Sequence, residues 1–85
     1  MVYQVEIHRA AQRHMLSLPT QARMTIVQAI DRLAETPRPS GCKKLRGTEL
    51  WRFRIGRYRV VYTIDDEARL VTVVKVALRR EDTYK

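Results

Sequence analysis

Eighty-five residues, 45% hydrophobic and carrying a net charge of +8, describe one small domain with a thin core. That size excludes a deep pocket around a small-molecule cofactor, and the lone Cys42 excludes an intrachain disulfide or a cysteine-built metal site. The charge is concentrated: residues 41–60 hold seven Lys and Arg against Glu49 alone, a net +6 of the total. Such a concentration is the footprint of a phosphate-binding surface or of a solvated basic face, and composition alone leaves both open.

In chain order, residues 2–7 alternate Tyr3, Val5 and Ile7 with Gln4 and Glu6, the period of a half-buried strand rather than of a signal peptide. Residues 8–18 place Ala11, Met15 and Leu18 on one face of a short helix. Pro19 breaks it, and Thr20 is the expected N-cap of a second helix. That helix carries Ala22, Ile26, Ala29, Ile30 and Leu33 to about residue 35, and Pro37 and Pro39 end it. Residues 36–48 read as a basic loop. Three strands follow, near 50–55, 57–64 and 69–78, with Asp65, Asp66 and Glu67 as a solvated turn before the last. The order is β-α-α-β-β-β, an α+β fold in which one antiparallel sheet carries a helical hairpin on one face, as a single domain over residues 1–85. No apolar run approaches membrane-spanning length, and the unpaired thiol chemistry points to the cytoplasm.

The Gly56-Arg57 connection, with glycine first, suits a two-residue type II′ turn. It pairs Ile55 with Tyr58, Arg54 with Arg59, Phe53 with Val60, Arg52 with Val61 and Trp51 with Tyr62. Trp51, Phe53, Ile55, Tyr58, Val60, Tyr62 and Ile64 then share the helix-facing side, where the aromatics are packing residues. Arg52, Arg54 and Arg59 emerge together on the other. Direct opposition of Arg54 and Arg59 costs stability unless an anion sits between them, and guanidinium forks match phosphate.

The runs Lys44-Leu45-Arg46-Gly47, Leu50-Trp51-Arg52-Phe53-Arg54 and Gly56-Arg57-Tyr58-Arg59-Val60-Val61-Tyr62 resemble the RelE/ParE toxin superfamily. So do Leu78-Arg79-Arg80-Glu81 and Tyr84 at the C-terminus. The resemblance implies the toxin of a type II toxin–antitoxin pair, one that enters the A site of the 70S ribosome and cuts messenger RNA there. By position it implies Arg52, Arg54, Arg59, Arg80 and Tyr84 as catalytic residues. The family's bacterial prototype carries lysines at the positions of Arg52 and Arg54, and many relatives carry a histidine at that of Arg79.

Arginine can hold a phosphate but cannot serve as a base. The chemistry expected is therefore electrostatic: the RNA's own 2′-hydroxyl attacks phosphorus, and Arg52, Arg54 and Arg59 stabilise the charge that builds on the phosphoryl oxygens. Arg80 sits near the leaving oxygen, and Tyr84 orients or deprotonates the 2′-hydroxyl or stacks on a base. Lys43, Lys44, Arg46, Arg57 and Arg79 make up an RNA-docking set. His8 and His14 fall away from the arginine face. No metal or cofactor is called for. The partners implied are messenger RNA, the ribosome and an antitoxin with an acidic amphipathic segment. A ParE-like gyrase poison and an inactive RNA-binding relative are the competing readings.

Overall fold

The first strand, β1 (Gln4–Ile7), holds Val5 and Ile7 half-buried and Gln4 and Glu6 exposed, as its alternation predicts. His8 ends the strand and caps α1 (Arg9–Leu16), its Nδ1 accepting from the Ala10 amide at 3.1 Å. Ala11 and Met15, one turn apart, are the residues α1 buries. The second helix, α2 (Thr20–Arg32), starts with Pro19 rather than Thr20 at its N-cap. Proline's fixed φ suits that extended position, and its carbonyl accepts the Arg23 amide at 2.9 Å. Thr20 is therefore the first helical residue, and no side chain caps α2. Ile26, Ile30 and the adjoining Leu33 form its buried stripe. This computed structural model describes residues 2–78. Arg79, Arg80 and Tyr84, expected from the sequence to serve the site, lie outside the described residues.

The loop after α2 contains a strand that alternation could not reveal, the two-residue β2 (Lys43–Lys44). It pairs antiparallel with β3 (Trp51–Ile55), which is followed by β4 (Tyr58–Asp65) and β5 (Leu70–Leu78). The five strands lie in the order β1-β5-β4-β3-β2. The expected α+β layering is present, with one correction: the sheet is mixed, because β1 runs parallel to β5. The strands β2 to β5 form an antiparallel meander, whereas β1 reaches it only through the helical pair. No hairpin fixes the direction of β1, so it lies at the far edge beside the last strand. Among the described residues no helix is long and apolar enough to cross a membrane.

Both helices cover one face of this sheet. Ala11, Met15, Ile26, Ile30 and Leu33 from the helical layer meet Phe53, Val60, Tyr62, Val71, Val73 and Val76. Trp51, Ile55, Tyr58 and Ile64 flank that core, as expected. Tyr62 is fully buried, packs edge-on against Phe53 at 5.8 Å, and donates its hydroxyl to the Pro37 carbonyl at 2.8 Å. A second tether lies on the rim, where Arg38 and Tyr3 both donate to Asp66, and the Arg38 guanidinium stands 5.0 Å over the Trp51 ring. Arg38, and after it Tyr3, holds the Asp66 carboxyl below the usual carboxylate range. Together these contacts pin the loop after α2 to the central strand and to the β4–β5 turn.

Burial pushes the Tyr62 phenol above its ordinary value, with Cys42 adding to the shift. Above about pH 10 the unfolded chain then releases a proton that the folded chain retains, so stability falls as pH rises, by about 1.4 kcal/mol per pH unit from this group. Alkaline titration of the unfolding free energy will show that slope, and Tyr62→Phe will remove it. The same substitution will cost about 1 kcal/mol near neutrality, because the Pro37 carbonyl loses its donor. Arg69, at φ 55° in the β4–β5 turn, is the one described non-glycine residue in left-handed backbone. Arg69→Gly will raise the unfolding free energy by up to about 1 kcal/mol in denaturant titrations.

Candidate nucleic-acid interface

Gly56 adopts φ 55° while Arg57 does not share its positive φ, the backbone of a two-residue turn with glycine first. All five pairings expected of that hairpin are present, including Arg54 opposite Arg59 and Arg52 opposite Val61. The face opposite α1 and α2 is thereby ruled into rows. Lys43 pairs with Arg52, Arg52 with Val61 and Val61 with Lys75, a line across four strands. Strand spacing makes it about 14 Å long. Two residues along, Arg54, Arg59 and Ala77 form the next row. Five cations therefore share one side of the sheet.

Their environments differ. Arg54 is exposed and Arg52 half-buried, but Arg59 retains only 9% of its surface, so the three arginines do not emerge equally as the alternation alone suggested. Arg59 lies on the central strand β4, whereas Arg54 lies on β3 beyond the end of the short β2. A guanidinium already withdrawn from water acts on a nearby phosphate through a lower effective dielectric than an exposed one.

Other expected residues spread out. Lys44 pairs with Trp51, so it belongs to the opposite side, and it makes a long ion pair of 3.8 Å with exposed Glu49. Such a surface pair contributes little. Arg46 lies in the loop beyond β2, and Arg57 is exposed at the hairpin tip. Both histidines serve the scaffold. His8 caps α1, and His14 accepts the Val76 amide at 3.3 Å through Nδ1. The β1 strand stops pairing at Val73, so His14 supplies β5 with an acceptor where the strand has run out. Among the described residues no group of three or more His, Cys, Asp or Glu is placed to hold a metal ion.

Lys75 is the member that sequence reasoning missed. Simple alternation from Val71 and Val73 turns it toward the helices. The register shifts instead between Val61 and Tyr62: Tyr62 pairs with Val73 and Val61 with Lys75, which leaves Val74 as the extra residue of a β-bulge. The bulge moves Lys75 to the basic side and keeps Val76 in the core. A signal was available, since Val73-Val74 breaks the alternation immediately before a lysine that would otherwise be buried.

A model of the ParE toxin of type II toxin–antitoxin systems matches residues 5–83, nearly the whole chain. This chain belongs to the RelE/ParE toxin superfamily. A relative from Methanocaldococcus jannaschii named as toxin RelE1 is 33% identical over all of this chain and 98% of its own length. The toxin–antitoxin complex RelBE2 of Mycobacterium tuberculosis contains a chain that superposes with a TM-score of 0.85 at 29% identity, covering 93% of each. The RelE–RelB complex of Pyrococcus horikoshii gives 0.83 at 30% identity, over 93% of this chain and 97% of that one. The mixed five-stranded sheet under a helical pair is thus the fold of RelE-type toxins, and the basic rows lie on the side away from α1 and α2.

His14→Ala will leave the Val76 amide without its acceptor and cost about 1–3 kcal/mol in denaturant unfolding. Amide exchange will quicken at Val76, next to Lys75, before it does in β4.

Proposed function

We propose that this toxin is an endoribonuclease that cuts messenger RNA in the ribosomal A site and so stops translation in the cytoplasm. The observation that carries the reading is the paired row Arg54–Arg59, flanked by Arg52, on the sheet face opposite α1 and α2. An RNA phosphate seated there meets one exposed and one water-poor guanidinium on adjoining strands. In the step proposed, the 2′-hydroxyl oxygen attacks phosphorus and the 5′-oxygen departs, giving a 2′,3′-cyclic phosphate and a 5′-hydroxyl. Charge grows on the non-bridging oxygens in the transition state, where preorganised donors are worth most. Guanidinium groups do not transfer the protons, so Tyr84, the substrate or the ribosome performs that part, with Arg80 beside the leaving oxygen. Holding the substrate in reactive geometry is a contribution that a ribosome-bound message brings with it. Lys43, Arg46, Arg57 and Arg79 add docking contacts to the RNA backbone. The relative named RelE1 supports the nuclease reading.

An antitoxin is the expected protein partner, since the relatives of known structure include RelE–RelB and RelBE2 toxin–antitoxin complexes. A cleft of about 440 Å³ lies between the end of α2 and the edge of β3, with Arg32, Lys43, Arg52 and Arg54 around Leu33 and Phe53. An acidic amphipathic segment laid there matches both its charge and its apolar floor, and reaches the arginine rows. A gyrase poison is the second reading, favoured by the ParE family model itself.

Controlled expression in growing cells separates the two. The nuclease reading expects growth arrest with new 5′-hydroxyl ends inside codons of translated messages. Arg59→Ala will reduce that cutting by about 10²–10³-fold, as loss of one preorganised donor to an oxyanion does, and Tyr84→Phe will reduce it as well. Arrest with intact messages and broken DNA will move the assignment to gyrase.

A further inference from the structure

On the basic side of the sheet one area is not basic. Val61 lies in the middle of the line Lys43–Arg52–Val61–Lys75, is 3% exposed, and is outside the core beneath the helices. Above it opens a cleft of about 570 Å³ lined by Leu45, Leu50, Val61 and Val74, with Arg46, Thr48 and Lys75 around them. That volume falls within the usual range for small-ligand sites of about 300–1,000 Å³.

The wall of the cleft is built in advance. The Leu45 amide donates to the Leu50 carbonyl at 2.8 Å, and the Thr48 amide to the Leu45 carbonyl at 3.1 Å, closing the 45–50 loop. Gly47, at φ 75°, makes the turn possible. The Thr48 hydroxyl donates to the Leu45 carbonyl and accepts from the Leu50 amide. It is thereby occupied within the loop, so the cleft offers a ligand aliphatic walls and a cationic rim, with little side-chain polarity between them.

We propose that this cleft is a nucleobase subsite for single-stranded RNA, with the ring on Leu45, Leu50, Val61 and Val74 and an adjoining phosphate on Lys75 and Arg46. The inference rests on the RNA reading given above and deepens it. Charge complementarity selects the occupant: the apolar floor is one strand spacing, about 4.8 Å, from Arg52 on one side and from Lys75 on the other. A flat apolar ring alternating with an anion is the repeating pattern of a single-stranded nucleic acid. The β-bulge completes the site, since Val74 faces the cleft by simple alternation and the extra residue brings Lys75 to the same side, at its rim. Because the Thr48 hydroxyl is engaged within the loop and Leu45, Leu50, Val61 and Val74 are aliphatic, the subsite grips all four bases to within a few-fold of one another.

The full chain is titrated with two labelled 2′-O-methyl RNA oligonucleotides of equal length, one normal and one abasic in its central positions. The missing 2′-hydroxyls prevent cutting, so binding is read by itself. Wild type is expected to bind the normal strand about tenfold more tightly, the usual worth of seating one base. Leu50→Ser and Val74→Ser will each bring the two affinities within about twofold while leaving abasic binding unchanged. Lys75→Ala will weaken both strands equally and lower the slope of log affinity against log salt by about one. Thermal melts confirm that each variant is folded. A photoreactive base in the normal strand supplies a readout on wild type alone, with crosslinks expected at residues 45–50, 61 and 74. Equal affinity of wild type for both strands, a preference that both serine variants keep, or crosslinks confined elsewhere overturns the subsite and leaves the nuclease reading standing. Absence of binding to either strand removes the RNA reading and the subsite with it.

Discussion

The register of one hairpin governs nearly everything on the basic side of this protein. Gly56 takes left-handed backbone, φ 55°, at the first position of a two-residue turn. From that turn the pairings of β3 and β4 follow without further choice, and a slip of one residue would send Arg52, Arg54 and Arg59 into the helical layer. The hydrophobic pattern enforces the same register from the other side. Phe53, Val60 and Tyr62 are buried only when the arginines face away. Turn geometry and core burial therefore agree, which is the condition for a uniquely specified strand pair.

A domain this small has one thin core, and it secures its loops with single well-placed contacts. Tyr62 reaches through the core to the Pro37 carbonyl, while Arg38, Asp66, Tyr3 and Trp51 form a second tether at the rim. These contacts fix the segment that ends in β2, and β2 in turn brings Lys43 into line with Arg52. The basic rows thus depend on packing that takes place on the other side of the sheet. His14 performs a similar service for β5, where β1 no longer provides a neighbour.

Electrostatically the face is graded rather than uniform. Arg54 is solvated, Arg52 intermediate and Arg59 almost withdrawn from water, all within adjoining strands. An arriving phosphate passes from an exposed cation, which attracts at long range but is screened by salt, to a buried one, which acts at close range and is screened less. Burying a guanidinium lowers stability unless its surroundings compensate.

The sequence by itself determined the order of the two helices and four longer strands, the helical hairpin, the hairpin register and the superfamily. Each is written in short-range chemistry: prolines between helices, a glycine at the turn, alternation in Trp51–Ile55 and a cluster of motifs around Arg59. Only the tertiary structure decided the direction of β1, the existence of β2, the burial of Arg59 and the side on which Lys75 lies. None of these has a local signature. The direction of β1 follows from which strand meets it at the edge, and β2 is too short to show a period. The burial of Arg59 appears only once the strands are assembled, with β4 at the centre of the sheet. Lys75 changes sides because the strand beside Tyr62 inserts one residue, and a bulge exists only in a pair of strands, not in either one alone.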